Sequence, residues 1–268
     1  MHVDLKDDTR QAYVITKNEI KKFMVGKKII LFGILVVALE VLNLVVPYVW
    51  GEGYSNSTDA AGALLGNINL FIVIAAILFT ATSIVSEFEE RTALVLFTKP
   101  IRKWSIFLGK LMASMIIMTG FLLAIYLYTA IVCIATCGNI PGSLLTSLGL
   151  SICGAFGCSG LAILLSSLFK KGSTASIMTL VVYLLILGIV GSLISTYAHV
   201  DTWWMLDSAV AYISYCISGV PEIISFDPPV IVYTAVSSAD LIRAAGVMAV
   251  WGIATAVAGF FFFNKRDF

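Results

Sequence analysis

Charge is the scarcest property of this chain. Asp, Glu, Lys and Arg make up 12% of its 268 residues against 59% hydrophobic ones, and the mean hydropathy is +0.98. That balance excludes a soluble globular protein, whose charged fraction runs near a quarter. There are two histidines, His2 and His199, and five cysteines, Cys133, Cys137, Cys153, Cys158 and Cys216, with no C-x-x-C spacing. No metal site or redox pair is therefore legible. Four of the thiols fall in or beside apolar runs, which fits packing; a disulfide on the outer side through Cys137 or Cys216 is the alternative. No G-x-x-x-x-G-K-[ST] loop occurs, and no polar stretch is long enough for an ATPase fold, so the chain carries no phosphate cradle of its own. With a formal net charge of +1 and no basic stripe left to one surface, nucleic acid is excluded as a partner. Internal repeats and low-complexity tracts are missing too, and one transmembrane domain over 1–268 is the simplest division.

What the chain does have is long apolar runs. A helix needs roughly 20 apolar residues to cross the hydrocarbon core, and six runs qualify: 29–50, 66–85, 106–136, 143–169, 174–197 and 241–263. The hydrophilic start, nearly thirty residues, and the length of the first run speak against a cleaved signal, so the first span is expected to stay. Sixteen of the seventeen Lys and Arg residues fall on one side of this six-span path, and the alternate connections 51–65, 138–142 and 198–240 contain none. Positive charge is retained on the cytoplasmic side during insertion, so both termini are predicted cytoplasmic in a multi-pass protein of the cell membrane. Arg243 alone is out of pattern; a local ion pair with Asp240 at the outer end of the sixth run would satisfy it. The outward connections carry Glu52, Asp59, Asp201, Asp207, Glu222, Asp227 and Asp240, read as solvated acids.

Three polar or broken segments interrupt the apolar plan. In 16–28, Ile20, Phe23 and Met24 share one helical face with Lys17, Lys21 and Lys28 largely opposite, which describes an amphipathic helix on the inner bilayer surface within a cytoplasmic segment 1–28. Segment 86–103, SEFEERTALVLFTKPIRK, is charged and helix-like between two apolar runs. Ser86 and Glu89 form an S-x-x-E capping box, Glu87 and Arg91 an i,i+4 pair, and Pro100 the stop, so a short cytoplasmic helix is expected over about 87–98. Trp104 sits at the interface entrance to the third run. The 198–240 connection is apolar as well as acidic, with Trp203 and Trp204 at the outer interface. Its 209–220 piece is too short to span, and Pro221, Pro228 and Pro229 break the stretch beyond it. Interfacial or re-entrant helices over the outer end of the bundle are expected; a seventh and eighth span are the alternative.

These residues resemble the permease subunits of ABC exporters of the type-2 family. The amphipathic KNEIKKF before the first span, the EFEERTALVLFTKPIR run at 87–102 followed by Gly109 and Lys110, and the six-span outline carry the likeness; Ala93 and the direct Arg91-Thr92 junction depart from the family's acidic-Arg-Gly-Thr start. The resemblance implies an all-α polytopic fold and makes 86–103 a coupling helix whose Glu87, Glu89, Glu90, Arg91 and Thr92 meet a separate ABC ATP-binding subunit. It also implies a homodimer or a pair with a related permease, with ATP and Mg bound by the partner and no cofactor by this chain. The implied role is a non-catalytic exporter subunit.

Inside the spans, Glu40 lies near the middle of the first with Asn43 one turn on. A carboxylate there is costly and is expected to line a substrate or proton path, or to pair with a neighbouring helix. Two other classes compete. Gly157-Cys158-Ser159-Gly160 resembles the G-x-S-G of rhomboid intramembrane proteases, although no histidine lies in the sixth run to serve as base; glycine packing between helices explains the same motif. A channel or accessory protein working without ATP is the other, and nothing resembling a selectivity filter supports it.

Overall fold

The computed structural model describes residues 5–51, 53–86, 102–198, 200–226 and 229–265. Among these, six helices are long and apolar enough to cross a bilayer, and each of the six expected runs overlaps one of them. α1 (Leu5–Val25) precedes α2 (Lys27–Trp50), the first span. The second span is composite: α3 (Ser57–Leu65), a break at Gly66 and Asn67, α4 (Ile68–Ala75) and a π-helical stretch Ala76–Ala81. α5 (Lys103–Cys137) and α6 (Leu144–Leu168) are the third and fourth spans. The fifth comprises α7 (Gly172–Leu180), a π-helical Val181–Leu187, α8 (Gly188–Leu193) and a second π-helical stretch Ile194–Ala198. α10 (Ser238–Lys265) is the sixth.

Two connections differ from expectation. The second span starts at Ser57, not near residue 66. The polar run at 55–59 that reads as loop is helix-start chemistry: the Asn56 side chain accepts from the Asp59 amide at 2.9 Å, and Ala60, Ala61, Leu64 and Leu65 are buried behind it. Among its described residues, the 198–240 connection holds one helix, α9 (Leu206–Ser218), followed by an antiparallel hairpin of β1 (Val220–Phe226) and β2 (Pro229–Thr234). Pro221 and Pro229, which look like helix breaks, belong to these strands, whose Val and Ile content suits an extended backbone. Gly219 makes the corner at φ 83°, and a Cβ there would stand 2.9 Å from the Thr234 carbonyl.

α9 does not merely rest on the bundle. Leu206, Ala209, Val210, Ile213 and Ile217 recur at helical spacing and are buried against α6, α10 and α3. A hydroxyl relay fixes its depth. Ser147 donates to the Ile213 carbonyl at 2.8 Å; having no second proton, it must accept from Tyr126 at 2.7 Å, so Tyr126 in turn accepts from Ser151 at 2.6 Å. In the first turns of α10, Arg243 does pair with Asp240, at 3.5 Å, and lies over the Trp203 ring. All five cysteines are free.

The centre of the bundle is the contact of α6 with α10, the most extensive between described elements. Gly154, Gly157 and Gly160 line one edge of α6, and bare backbone lets α10 and α9 approach: a Cβ on Gly160 would stand 2.5 Å from the Gly252 carbonyl, and one on Gly157 3.1 Å from that of Met248. Spans one and five, by contrast, are the least covered by the rest of the chain.

Candidate functional site

The proposed coupling residues Glu87, Glu89, Glu90, Arg91 and Thr92 lie outside the described residues. Their two flanks, 82–86 and 102–110, are described, and each is tied to different spans. On the first flank, Lys28 at the start of α2 donates to the Thr82 hydroxyl at 2.7 Å. Lys110 of α5 donates to the Ser83 carbonyl at 2.8 Å and forms an ion pair with Glu19 of α1, also 2.8 Å. Ser166 of α6 accepts from the amides of Ile84 and Val85 at 3.2 and 3.3 Å. Ser86, expected as a cap for the following helix, donates to the Ser83 carbonyl at 3.2 Å. On the second flank Lys103 reaches the Asn264 carbonyl at 3.0 Å, Trp104 packs edge-to-face with Phe260, and Phe107 contacts Phe260 and Phe263. One foot of the segment thus stands on spans one, three and four and the other on span six.

α1 belongs to this assembly. Gly109 admits it so closely that a Cβ would stand 2.7 Å from Ile15, and Thr16 donates to the Gly109 carbonyl at 3.2 Å. Phe23 is buried, whereas Met24, expected on the same apolar face, is exposed. Phe23 meets Phe79 of the π-helical stretch at 5.5 Å, Phe79 meets Phe32 at 5.7 Å, and Phe32 meets Phe121 at 4.8 Å. These edge-on rings join α1 and spans one, two and three. Lys110 was part of the motif that carries the family likeness, but its partners Glu19 and Ser83 were not legible in the sequence.

Glu40 and Asn43 part company. Glu40 is 4% exposed, neither carboxylate oxygen has a hydrogen-bond partner among the described residues, and it lines a cavity of about 230 Å³ between α2 and α5. Asn43 is not in that cavity. Its carbonyl accepts from Tyr54 at 2.6 Å and its side chain faces Asn67 at the break in span two, at 3.5 Å. Burial pushes the Tyr54 phenol up to about 12, which keeps it a donor at any physiological pH.

Ser159 carries none of the geometry of a nucleophile. It is fully buried, donates to the Met118 sulfur at 3.3 Å and is approached by the Thr80 hydroxyl at 3.4 Å, with no base among these partners. Its two glycines belong to the α6–α10 seam. Ser159→Ala is expected to leave transport within about twofold of wild type and to cost roughly 1 kcal/mol or less in thermal unfolding.

Six helices long and apolar enough to cross a bilayer, packed at the centre through glycine, define a multi-pass α-helical membrane protein. A family model described as "ABC-2 family transporter protein" matches residues 13–268. The chain belongs to that family and is a membrane permease component of an ABC transporter. Among curated proteins none matches it.

Proposed function

We propose that the chain is the permease half of an ATP-driven exporter, one transmembrane domain over 1–268 with both termini cytoplasmic in the cell membrane. ATP and Mg are bound and hydrolysed on a separate ABC ATP-binding subunit. Residues Glu87, Glu89, Glu90, Arg91 and Thr92 contact that subunit through charged groups whose partners are exchanged as it closes. Two permeases, identical or related, form the pathway, and the thinly covered spans one and five are the surfaces left for the second one or for lipid. Span two, half enclosed within its own bundle, is less available for that contact.

The observation that supports this reading most is the anchorage of the two flanks. A push on 87–101 is delivered at 82–86 to spans one, three and four and at 102–107 to span six. Spans two and five contain π-helical stretches, where a helix can change its hydrogen-bond register without unwinding. The Glu40 cavity supports a cargo path that passes between spans one and three.

Replacing Glu90 and Arg91 together by alanine is expected to reduce substrate-stimulated ATP hydrolysis of the reconstituted complex by about tenfold or more while the permease remains folded. Co-purification with the ATPase and thermal stability of the permease are measured alongside. Wild-type stimulation and wild-type complex formation in that variant would overturn the interface.

A further inference from the structure

We propose that the cavity between spans one and three binds an organic cation, with Glu40 as its counter-ion; the cargo role of that ligand rests on the permease reading, its binding does not. The cavity is lined by Gly33, Val36, Val37, Glu40, Val41, Phe121, Ala124, Ile125 and Tyr128. All but two of these side chains present carbon or hydrogen alone. Glu40 is the fourteenth residue of α2, so it lies about 20 Å along the helix from Lys27, near the middle of the span. A carboxylate at that depth, with both oxygens unpartnered among the described residues, is costly unless it takes up a proton or a cationic ligand completes it.

The lining decides which ligand. A bare metal ion needs six or more oxygen ligands, or four with nitrogen or sulfur, and the cavity offers one carboxylate and one phenol. A neutral amphiphile would match the walls but make no use of the carboxyl group, which it would leave protonated and without an ionic partner. An ammonium ion dressed in hydrocarbon matches both: its charge faces Glu40, its carbon skeleton faces Val36, Val37, Val41 and Ile125, and the Phe121 and Tyr128 rings supply the negative π-faces that favour cations. Access is from the side, since Val37 and Val41 are exposed on the bundle surface. A cationic amphiphile partitioned in the bilayer reaches the cavity without crossing the centre of the bundle.

Phe121 also links this cavity to the rest of the machine. It touches Phe32 at 4.8 Å and stacks on Phe79 at 6.2 Å, in the π-helical stretch that runs toward Thr82 and Ser83. Occupancy of the cavity and the position of the coupling flank therefore share one aromatic cluster.

The test uses benzyltriethylammonium and its neutral isostere benzyltriethylsilane, with the full-length permease in lipid nanodiscs. Calorimetric titration is expected to show the cation binding about tenfold or more tighter to wild type than to Glu40→Gln, while the silane binds both alike. Tyr128→Leu, at a partly buried position outside the hydrophobic core clusters, is expected to weaken the cation several-fold and leave the silane unchanged, and it serves if Glu40→Gln fails to fold. No cation binding to wild type, or binding that neither variant weakens, overturns the proposal. With the ATPase added, cation-stimulated hydrolysis lost in Glu40→Gln makes the bound cation a cargo. Glu40-dependent binding without stimulation sustains the site and counts against the exporter reading alone.

Discussion

Lys110→Met is expected to lower stability by about 3–5 kcal/mol and to abolish ATP-driven transport, the largest effect of any conservative-volume change at the lysine-rich end. The Lys110 side chain is 2% exposed, and removing its ammonium leaves the Glu19 carboxylate, 12% exposed, without that partner and the Ser83 carbonyl without that donor. A pair in this setting contributes little when intact, because desolvation of both ions offsets their attraction. Breaking it from one side is what costs, since the other charge stays buried. The double variant Glu19→Gln, Lys110→Met removes both charges and is expected to recover about half or more of the lost stability, yet not transport, because Ser83 is still released. Thermal unfolding of the reconstituted complex and vesicle transport separate the two effects. If the single variant is as stable as wild type, the cluster is a solvated surface pair and the anchorage of the first flank is wrong.

Gly160→Leu is expected to prevent accumulation of folded permease, and Gly160→Ala to cost about 1–3 kcal/mol. A Cβ at Gly160 would stand 2.5 Å from both the Gly252 carbonyl and the Thr255 hydroxyl, and 2.9 Å from the Gly252 Cα. Because two of those atoms are backbone, α6 and α10 must move apart and uncover the seam along its length. Gly149 on α6 and Gly246 on α10 have nothing within 4 Å of the same position, so alanine there is expected to be neutral or to stabilise by a few tenths to about 1 kcal/mol through helix propensity. Size-exclusion profiles after graded heating report all four variants. Equal tolerance at Gly160 and Gly149 would show that the spans do not pack through glycine.

Much of this architecture is legible in the order of residues alone. The six spans, the amphipathic character of α1 and the short 138–142 connection follow from hydropathy and period, which act residue by residue along the chain. Arg243 was legible for a similar reason, because Asp240 is three residues away on the same helix. The start of span two was missed because the Asn56 cap and the Ser57 and Gly62 that follow look like loop residues singly. Only the side-chain bond to the Asp59 amide, and the contact a Gly62 Cβ would make with Ser218 at 2.7 Å, show them to be a helix end packed against α9. The hairpin was missed because prolines argue equally for a broken helix and for an edge strand.

The candidate site divides the same way. Glu40 declares itself by charge in an apolar run, but its cavity exists because α2 stands away from α5 beyond the Phe32–Phe121 contact. The Glu19, Lys28, Lys110 and Ser166 anchors come from four helices, and nothing in the sequence says which four are neighbours.

By itself the sequence determined that this is a six-span membrane bundle with all but one of its basic residues at one end and a charged segment between the second and third spans. Local transfer energy decides those features, and each span reads the bilayer independently of the others. Tertiary structure alone decided which spans touch, through the glycine seam of α6 and α10, and hence which side chains surround the flanks at 82–86 and 102–110 and what surrounds Glu40. In lipid there is no hydrophobic force to distinguish one apolar helix face from another, so shape complementarity chooses the neighbours, and shape is a property of pairs of helices that no single run of residues contains.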